Sequence, residues 1–208
     1  MQIYTGNAYG KKLEKVKEYG LGIMISSSPT FKPSKDFAQV PCALDNGAFV
    51  AYKKGYPFPE KVFLDTIDAC YKHNITLDFI VCPDIVAGGK RSLEFSMEWA
   101  EGRLSTCPRL ALVVQDGMDG AMLLRHGIER FTHIFVGGTV EWKWRTADGW
   151  CRFAHGNNKN CHIGQVGQAK YLRAASDITA DSVDSTSFAR NESWAILDEY
   201  KSETLFEG

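Results

Sequence analysis

The segment LALVVQDGMDGAMLLRHGIERFTHIFVG (residues 110–137) contains the alternation that decides the fold. It begins with an apolar run (110–115), continues through a helix-prone stretch, GAMLLRHGI (120–128), and ends with a second apolar run (133–137). Short apolar runs bounded by Gly, Asp or Ser are typical of strands that are buried on both faces of a parallel sheet. The segment therefore predicts a strand–helix–strand unit.

The same alternation extends over the rest of the chain. Six further runs are predicted strands: QIYT (2–5), LGIMIS (21–26), CALD (42–45), LDFIVC (77–82), HIGQV (162–166) and ADSVD (180–184). Eight parallel strands close into a barrel, and about 200 residues is the lower size limit of that fold. We predict one α/β domain over residues 1–208, a compact (β/α)8 TIM barrel. An open doubly wound sheet is the alternative, but no GxGxxG or P-loop supports its nucleotide-binding forms.

Composition excludes some function classes. The chain has 208 residues, of which 44% are hydrophobic and 24% charged, and its formal net charge is −1. Nucleic acid therefore cannot be held by a uniformly basic surface and would need a local basic patch. No apolar stretch approaches the roughly 18 residues of a membrane span, and the N-terminus has no signal-peptide pattern. We predict a cytoplasmic protein without a membrane partner.

The six cysteines are scattered without any CxxC pair, which predicts free and mostly buried thiols. Cys151, His155, Cys161 and His162 are close together in sequence, but the spacing C-x3-H-x5-C-H matches no standard zinc pattern. His162 also lies in a predicted strand, which would aim its side chain away from that of Cys161. We therefore predict no metal and no cofactor.

Polar residues close the predicted strands, at the end of a barrel where active sites lie. They are Asp45, Asp84, Gln115, Gly137 with Gly138, and Asp184. Taken singly, Asp45 before Asn-Gly is often a turn former, and Asp84 after Pro is often a helix cap. Taken together, they indicate a site in which two carboxylates divide the roles of nucleophile and general acid/base, as in glycosyl transfer. A decarboxylase or aldolase barrel presents similar groups.

Five segments, in order, resemble the tRNA-guanine transglycosylases. They are ALDNGAF (43–49), FIVCPDIVAGGKRSLEFSMEWA (79–100), ALVVQDGM (111–118), FVGGTVEW (135–142) and the stretch HIGQVG to SFAR (162–190). The resemblance implies that Asp184 is the nucleophile and that Asp45 transfers protons. It further implies that Phe49 packs against the bound base.

The resemblance also implies a base-reading set and a place for the nucleic acid. The base would be read by Asp84, Gln115 and the backbone of Gly137 and Gly138. Contacts with the nucleic-acid backbone are predicted for basic residues that cluster in the later loops: Lys143, Arg145, Lys170, Arg173 and Arg190.

The departures from the family narrow the expectation. Asp116 stands where the family has Gly, and the C-terminal zinc subdomain has no counterpart in the sequence. The chain is closest in character to the compact, zinc-free phage and bacterial branch (the Dpd type), which inserts 7-deazaguanines such as preQ0 into DNA. We therefore predict a DNA guanine transglycosylase whose substrates are DNA and a 7-deazaguanine base.

Three alternatives remain at this point. One is a tRNA transglycosylase that borrows its RNA-binding part from a partner subunit. Another is a non-catalytic nucleic-acid-binding subunit, which the presence of both Asp45 and Asp184 disfavours. The third is a nucleoside hydrolase, disfavoured because no calcium-binding Asp cluster is apparent in the sequence.

Overall fold

A computed structural model describes residues 1–204, and in it eight parallel strands form a closed barrel in chain order. The strands are β1 (Gln2–Thr5), β2 (Gly22–Ser26), β3 (Cys42–Asp45), β4 (Leu77–Val81), β5 (Leu110–Val114), β6 (His133–Val136), β7 (Asn160–Ile163) and β8 (Ser182–Ser185). The barrel closes where β1 pairs with β8, with Tyr4 opposite Asp184. The predicted TIM barrel is confirmed.

Helices surround the barrel. They are α1 (Lys11–Glu18), α2 (Ala48–Lys53), α3 (Glu60–Lys72), α4 (Lys90–Glu101), α5 (Gly120–His126), α6 (Val140–Gly156), α7 (Ala169–Asp177), α8 (Ser187–Arg190) and α9 (Ala195–Thr204). Between β2 and β3 the chain forms only a 3₁₀ helix, Lys35–Gln39. No helix among residues 1–204 is both long and apolar enough to cross a membrane.

Two helix starts differ from the sequence expectation. Helix α2 was not predicted, because six residues are too few for a periodic pattern; its first amide, Ala48 N, donates to the Asn46 side chain. The sequence WRTADGWCRFAH (144–155) predicts a helix from Trp144. Helix α6 instead begins at Val140, four residues earlier, because the Thr139 hydroxyl accepts from Trp142 N and caps the helix.

Strand β7 also ends earlier than predicted. It ends at Ile163, so Gln165 and Val166, which were expected in the strand, lie in the loop that follows. Gln165 has φ +60°, in the left-handed region, and an extended strand cannot continue through that conformation.

The barrel interior is filled by side chains at alternate strand positions. The inward-facing apolar residues are Tyr4, Met24, Ala43, Phe79, Val81, Ala111, Val113 and Phe135. At one end of the interior the Tyr4 hydroxyl donates to the Asp78 carboxylate at 2.7 Å. Because strand side chains alternate, Asp45, Gln115 and Asp184 occupy the next inward positions after Ala43, Val113 and Ser182.

A second, larger apolar core lies between the barrel and its helices. It includes Phe37, Phe63, Leu93, Phe131 and Phe188, all fully buried. The six cysteines are free and buried, as the sequence predicted. This core is apolar, and the polar side chains of the candidate site lie instead at the strand ends.

Gly22 on β2 is a packing requirement of this interior. A Cβ at Gly22 would meet the Tyr4 ring at 2.6 Å and the Pro41 carbonyl oxygen at 2.8 Å. We expect Gly22→Ala to lower the free energy of unfolding by about 1–3 kcal/mol, because the added methyl forces the ring and the backbone apart. Urea unfolding followed by circular dichroism measures the change.

Gly149→Ala is the matched control. Gly149 lies in α6, and a Cβ there would meet nothing within 4 Å apart from its chain neighbours and the backbone of its own helix. We expect this change to stabilise the protein by about 0.5–1 kcal/mol, because alanine loses less backbone entropy in a helix. A Gly22→Ala variant as stable as wild type would contradict the packing argument.

Candidate active site

At the mouth of the barrel the carboxylates of Asp84 and Asp184 both act electrostatically on the carboxyl of Asp45. Burial, together with the negative charges of Asp184 and Asp84, raises the pKa of Asp45 from its ordinary value to about 7. Burial likewise raises the pKa of Asp84 to about 6, although a hydrogen bond from Asn46 opposes the shift. At neutral pH the mouth therefore has a carboxyl, Asp45, that can both give and accept a proton.

Asp184 lies in a different environment, because hydrogen-bond donors hold one of its oxygens. Its Oδ1 lies 3.1 Å from His162 Nε2 and accepts from the backbone N–H of Gln165 at 3.2 Å. Its backbone carbonyl accepts from Val166 N at 2.6 Å, which ties the loop after β7 to β8. No hydrogen bond to Oδ2 is found among residues 1–204, so this oxygen is left for a ligand.

His162 is the site residue that sequence reasoning missed. It is fully buried, and its Nδ1 lies 2.8 Å from the Ser182 hydroxyl while Nε2 approaches Asp184. When Nε2 carries the proton, Nδ1 accepts from Ser182, so the ring is fixed at both nitrogens. The available signal was a histidine at an inward-facing position of a strand whose neighbour, β8, carries an aspartate, Asp184, next to its last residue.

Asn46 links the Asp45 and Asp84 segments. Its Nδ2 donates to the Cys82 carbonyl and to Asp84 Oδ1, both at 2.9 Å. Its Oδ1 accepts from Ala48 N and so starts helix α2. The Asp-Asn-Gly turn thus also orients the Asp84 side chain, a role that the turn interpretation did not include.

Gln115 lies at the site with its donor already used. It is buried, and its Nε2 donates to the Ile85 carbonyl at 3.0 Å and to the Ser92 hydroxyl at 2.7 Å. From the sequence alone, the Gln115 amide nitrogen is expected to donate to O6 of a guanine-like base. That expectation is corrected, because both amide hydrogens are taken and only the acceptor, Oε1, remains for a base.

Gly138 adopts a backbone conformation that suits glycine. It has φ +76°, and a Cβ there would meet Asp116 Oδ2 at 2.5 Å and the Trp142 ring at 2.8 Å. The Asp116 carboxylate accepts from both the backbone N and the hydroxyl of Thr139 at 2.8 Å. Asp116 thus braces the Gly137–Gly138 turn at the start of α6.

The predicted nucleic-acid residues fall into two groups. Lys143 is only 2% exposed, and its ammonium donates to the Gly164 carbonyl, so it is corrected to an interior residue that cannot contact a phosphate backbone from the surface. The remaining four lie on the outside: Arg145 and Arg173 face Glu141 and Glu199, Lys170 lies over the Tyr171 ring, and Arg190 ends α8.

Phe49 lies on α2 beside the Asp45 segment. It is 39% exposed, and the Lys53 ammonium lies 4.6 Å from its ring centroid. An exposed aromatic ring close to the site can stack on a planar ligand.

The four Cys and His residues considered for a metal are not one cluster. Cys151 and Cys161 lie with their sulfurs 2.8 Å apart, His155 pairs with Asp181, and His162 faces the barrel interior. Within residues 1–204 no group of three or more His, Cys, Asp or Glu side chains has an arrangement that could hold a metal.

Comparison with known proteins adds no assignment: no model of a protein family and no curated protein matches the chain.

The raised pKa of Asp45 predicts how stability depends on pH. The folded protein binds this proton more tightly than the unfolded chain does, because the pKa is about 7 in the fold against 3.8 ordinarily. The contribution of Asp45 to stability therefore falls as the pH rises through this window and stays low above it. We expect Asp45→Asn to gain stability relative to wild type at pH 8, and to gain less at pH 4.5.

Urea unfolding of both proteins at the two pH values measures this difference. Asp65→Asn, which removes an exposed carboxylate on α3 that is paired with Lys61, is the control. An equal effect of Asp45→Asn at pH 4.5 and pH 8 would contradict the assignment of a raised pKa.

Proposed function

We propose that this protein is a DNA guanine transglycosylase that exchanges guanine for a 7-deazaguanine through a covalent sugar–enzyme intermediate. The observation that carries the proposal is the pair Asp45 and Asp184 at one barrel mouth. The pKa of Asp45 is raised to about 7, whereas one oxygen of Asp184 is held by donors and the other has no partner in residues 1–204. Such a pair supplies an acid/base and a nucleophile.

In the first half-reaction Asp184 Oδ2 attacks C1′ of the target nucleotide. The C1′–N9 bond breaks, its electron pair leaves with guanine, and the protonated Asp45 gives its proton to the departing base. The sugar remains joined to Asp184 as an ester, in which Oδ1 becomes the carbonyl oxygen. His162 and Gln165 N, already placed on Oδ1, continue to donate to it.

The second half-reaction reverses these bonds with a different base. Ionised Asp45 takes the N9 proton of the incoming 7-deazaguanine, N9 attacks C1′, and the Asp184 carboxylate leaves. Two displacements at C1′ retain the configuration of the sugar. Asp45 ends protonated, as it began, so the cycle needs no external acid or base.

Recognition of the base falls to groups around the Asp84 segment. Guanine and 7-deazaguanine carry the same N1–H and exocyclic amine, which are donors, so acceptors must face them. Asp84 has a carboxylate oxygen, Oδ2, that is not engaged by Asn46, and Gln115 has its Oε1. These acceptors suit the edge that the outgoing and incoming bases share.

One exposed surface supports a nucleic acid, and not a free nucleoside, as the substrate. Tyr52, Lys53, Lys54 and Tyr56, which we call the α2 surface, are exposed and follow Asp45 closely in the chain. Tyr52 and Tyr56 are 58% and 67% exposed, and no ion pair of Lys53 or Lys54 is found in the part of the chain that is described. Exposed aromatic rings interleaved with free positive charges are typical of surfaces that bind single-stranded nucleic acid.

The target nucleotide has to leave the base stack to reach the barrel mouth, which exposes unpaired neighbours. The α2 surface is suited to these flanking nucleotides, with its rings on their bases and its lysines on their phosphates. Phe49, one helical turn before Tyr52 and Lys53, lies between this surface and Asp45 along the chain.

Asp184→Asn tests the chemistry. The amide is a poor nucleophile, so we expect base exchange to fall by at least about a thousandfold and the covalent protein–DNA adduct to disappear. Exchange is measured by release of labelled guanine from DNA offered with a 7-deazaguanine, and the adduct by denaturing electrophoresis. Asp148→Asn, on α6 and paired with Arg152, is the control with full activity.

The same assay with matched DNA and tRNA substrates separates the DNA proposal from its main alternative. Base exchange in tRNA alone would support the proposed chemistry and show that the substrate is tRNA instead of DNA. Exchange at wild-type rate by Asp184→Asn would remove Asp184 as the nucleophile, and no exchange by wild type on either substrate would refute the proposal.

Tyr52→Ala and Tyr56→Ala test the α2 surface. Each stacked base contributes about 1–3 kcal/mol, so we expect each change to weaken single-stranded DNA binding about fivefold or more. Lys53→Gln should reduce the salt dependence of binding as well. Fluorescence anisotropy with a labelled oligonucleotide measures both effects without requiring catalysis.

Tyr71→Ala is the matched control, because Tyr71 is 48% exposed and lies near the far end of α3. We expect it to leave DNA binding unchanged. Equal weakening by Tyr71→Ala, or none by the α2 variants, would place nucleic-acid binding elsewhere. Loss of a dimer in the α2 variants, seen by sedimentation, would instead make this surface a contact between copies of the chain.

A further inference from the structure

A single peptide group lies between a buried lysine and the proposed nucleophile. The carbonyl of Gly164 accepts a hydrogen bond from the Lys143 ammonium, and the N–H of the next residue, Gln165, donates to Asp184 Oδ1 at 3.2 Å. That carbonyl and that N–H belong to the same peptide unit. Lys143 is therefore joined to Asp184 through one planar amide.

We propose that Lys143 is a positioning residue for Asp184, acting through the Gly164–Gln165 peptide, in the reaction proposed above. Its ammonium holds the carbonyl on one side, so the N–H on the other side stays aimed at Oδ1. A hydrogen bond to a carbonyl also polarises the amide and strengthens the bond that its N–H makes. The inference rests on the proposed function only for its catalytic consequence.

The local backbone explains why this peptide needs an anchor. Gln165 has φ +60°, an uncommon conformation for a residue with a side chain, and its side chain is exposed. Such a conformation persists only where surrounding contacts determine it. Gly164 N donates to the Val136 carbonyl at 3.1 Å. The other hydrogen bonds that hold this loop are those of Lys143 to the Gly164 carbonyl, of Gln165 N to Asp184 Oδ1 and of Val166 N to the Asp184 carbonyl.

Gly164 leaves little room for another arrangement. A Cβ there would meet the Phe135 ring at 2.6 Å, so the peptide is packed against the barrel interior on one side. Lys143, which lies in the first turn of α6 and is only 2% exposed, occupies the other side of this peptide. The bracing of Gly138 and Thr139 by Asp116 fixes where this turn begins, and hence where Lys143 stands.

Burial of a lysine is costly, which makes a purely packing role a poor explanation. Burial lowers the pKa of Lys143, while the negative charge of Asp184 raises it. A methionine of similar length would fill the same space without that cost. We therefore infer that the positive charge of Lys143 acts on the Asp184 carboxylate, which lies on the other side of the Gly164–Gln165 peptide.

In the proposed reaction, Lys143 and the Gln165 N–H act on Asp184 at two steps. Before attack, the aligned N–H holds Oδ1 and so fixes the orientation of the Asp184 carboxylate. In the second half-reaction the same donors stabilise the carboxylate as it leaves C1′. Lys143 gains or loses no proton in either step.

Lys143→Met tests the inference with one readout that does not depend on activity. We expect the Gln165 amide to exchange its hydrogen with solvent at least tenfold faster, as measured by NMR on ¹⁵N-labelled protein, because the peptide loses its anchor. Amides within β7 and β8, such as those of Ile163 and Val183, should keep their protection. We also expect kcat for base exchange to fall at least tenfold with little change in KM, because the Asp184 carboxylate is no longer held in position for attack.

The outcomes separate the inference from the proposed function. Lys61→Met, at an exposed lysine paired with Asp65, should change neither readout. An unchanged Gln165 amide, or equal loss of protection throughout β7 and β8, would overturn the positioning role. Suppose that Lys143→Met speeds hydrogen exchange at the Gln165 amide alone, while the wild type shows no base exchange. That result would uphold the positioning of the Gly164–Gln165 peptide by Lys143 and refute only the transglycosylase proposal.

Discussion

The pairing of β1 with β8 is the constraint on which the rest of this structure depends. It places Tyr4 opposite Asp184 and joins the first strand of the chain to the last. Once the barrel is closed, alternation of side chains forces every second residue inward, whatever its chemistry. Asp45 and Asp184 are far apart in sequence. They lie at the same mouth of the barrel because each comes two positions after an inward-facing residue of its own strand. Burial is the largest cause of the raised pKa of Asp45, and the negative charge of Asp184, which raises it further above the ordinary value, acts there because of that closure.

Much of the fold could be predicted from the sequence, because buried parallel strands have a local signature. LALVVQ and HIFVG are apolar on consecutive residues, which only burial on both faces explains. The rule that strand ends carry the site then selected Asp45, Asp84 and Asp184 without reference to any partner. The boundaries were less certain where a side chain makes the decision, as at Thr139, whose hydroxyl starts α6 earlier than the hydrophobic pattern indicates.

The parts that were missed depend on distances through space. His162 was assessed beside Cys161, its neighbour in sequence, whereas its partners Ser182 and Asp184 lie on the next strand. Lys143 was assigned to the surface because lysines usually are exposed, and its carbonyl partner 21 residues away gives no sequence signal. Gln115 was assigned a free amide because nothing in ALVVQDGM indicates that Ser92 and Ile85 occupy it.

The filled interior of the barrel has a kinetic consequence. Phe79, Val81 and the hydrogen-bonded pair Tyr4 and Asp78 leave no passage through the barrel toward its other end. Every ligand of Asp45 and Asp184 thus enters and departs by the same opening, and a nucleic acid lies across that opening in the proposed reaction. The two bases cannot be bound at C1′ together, so the first must diffuse out past the strand before the second diffuses in. In the proposed reaction the order of events is therefore ping-pong, and the covalent sugar ester is the species present between release of the first base and binding of the second.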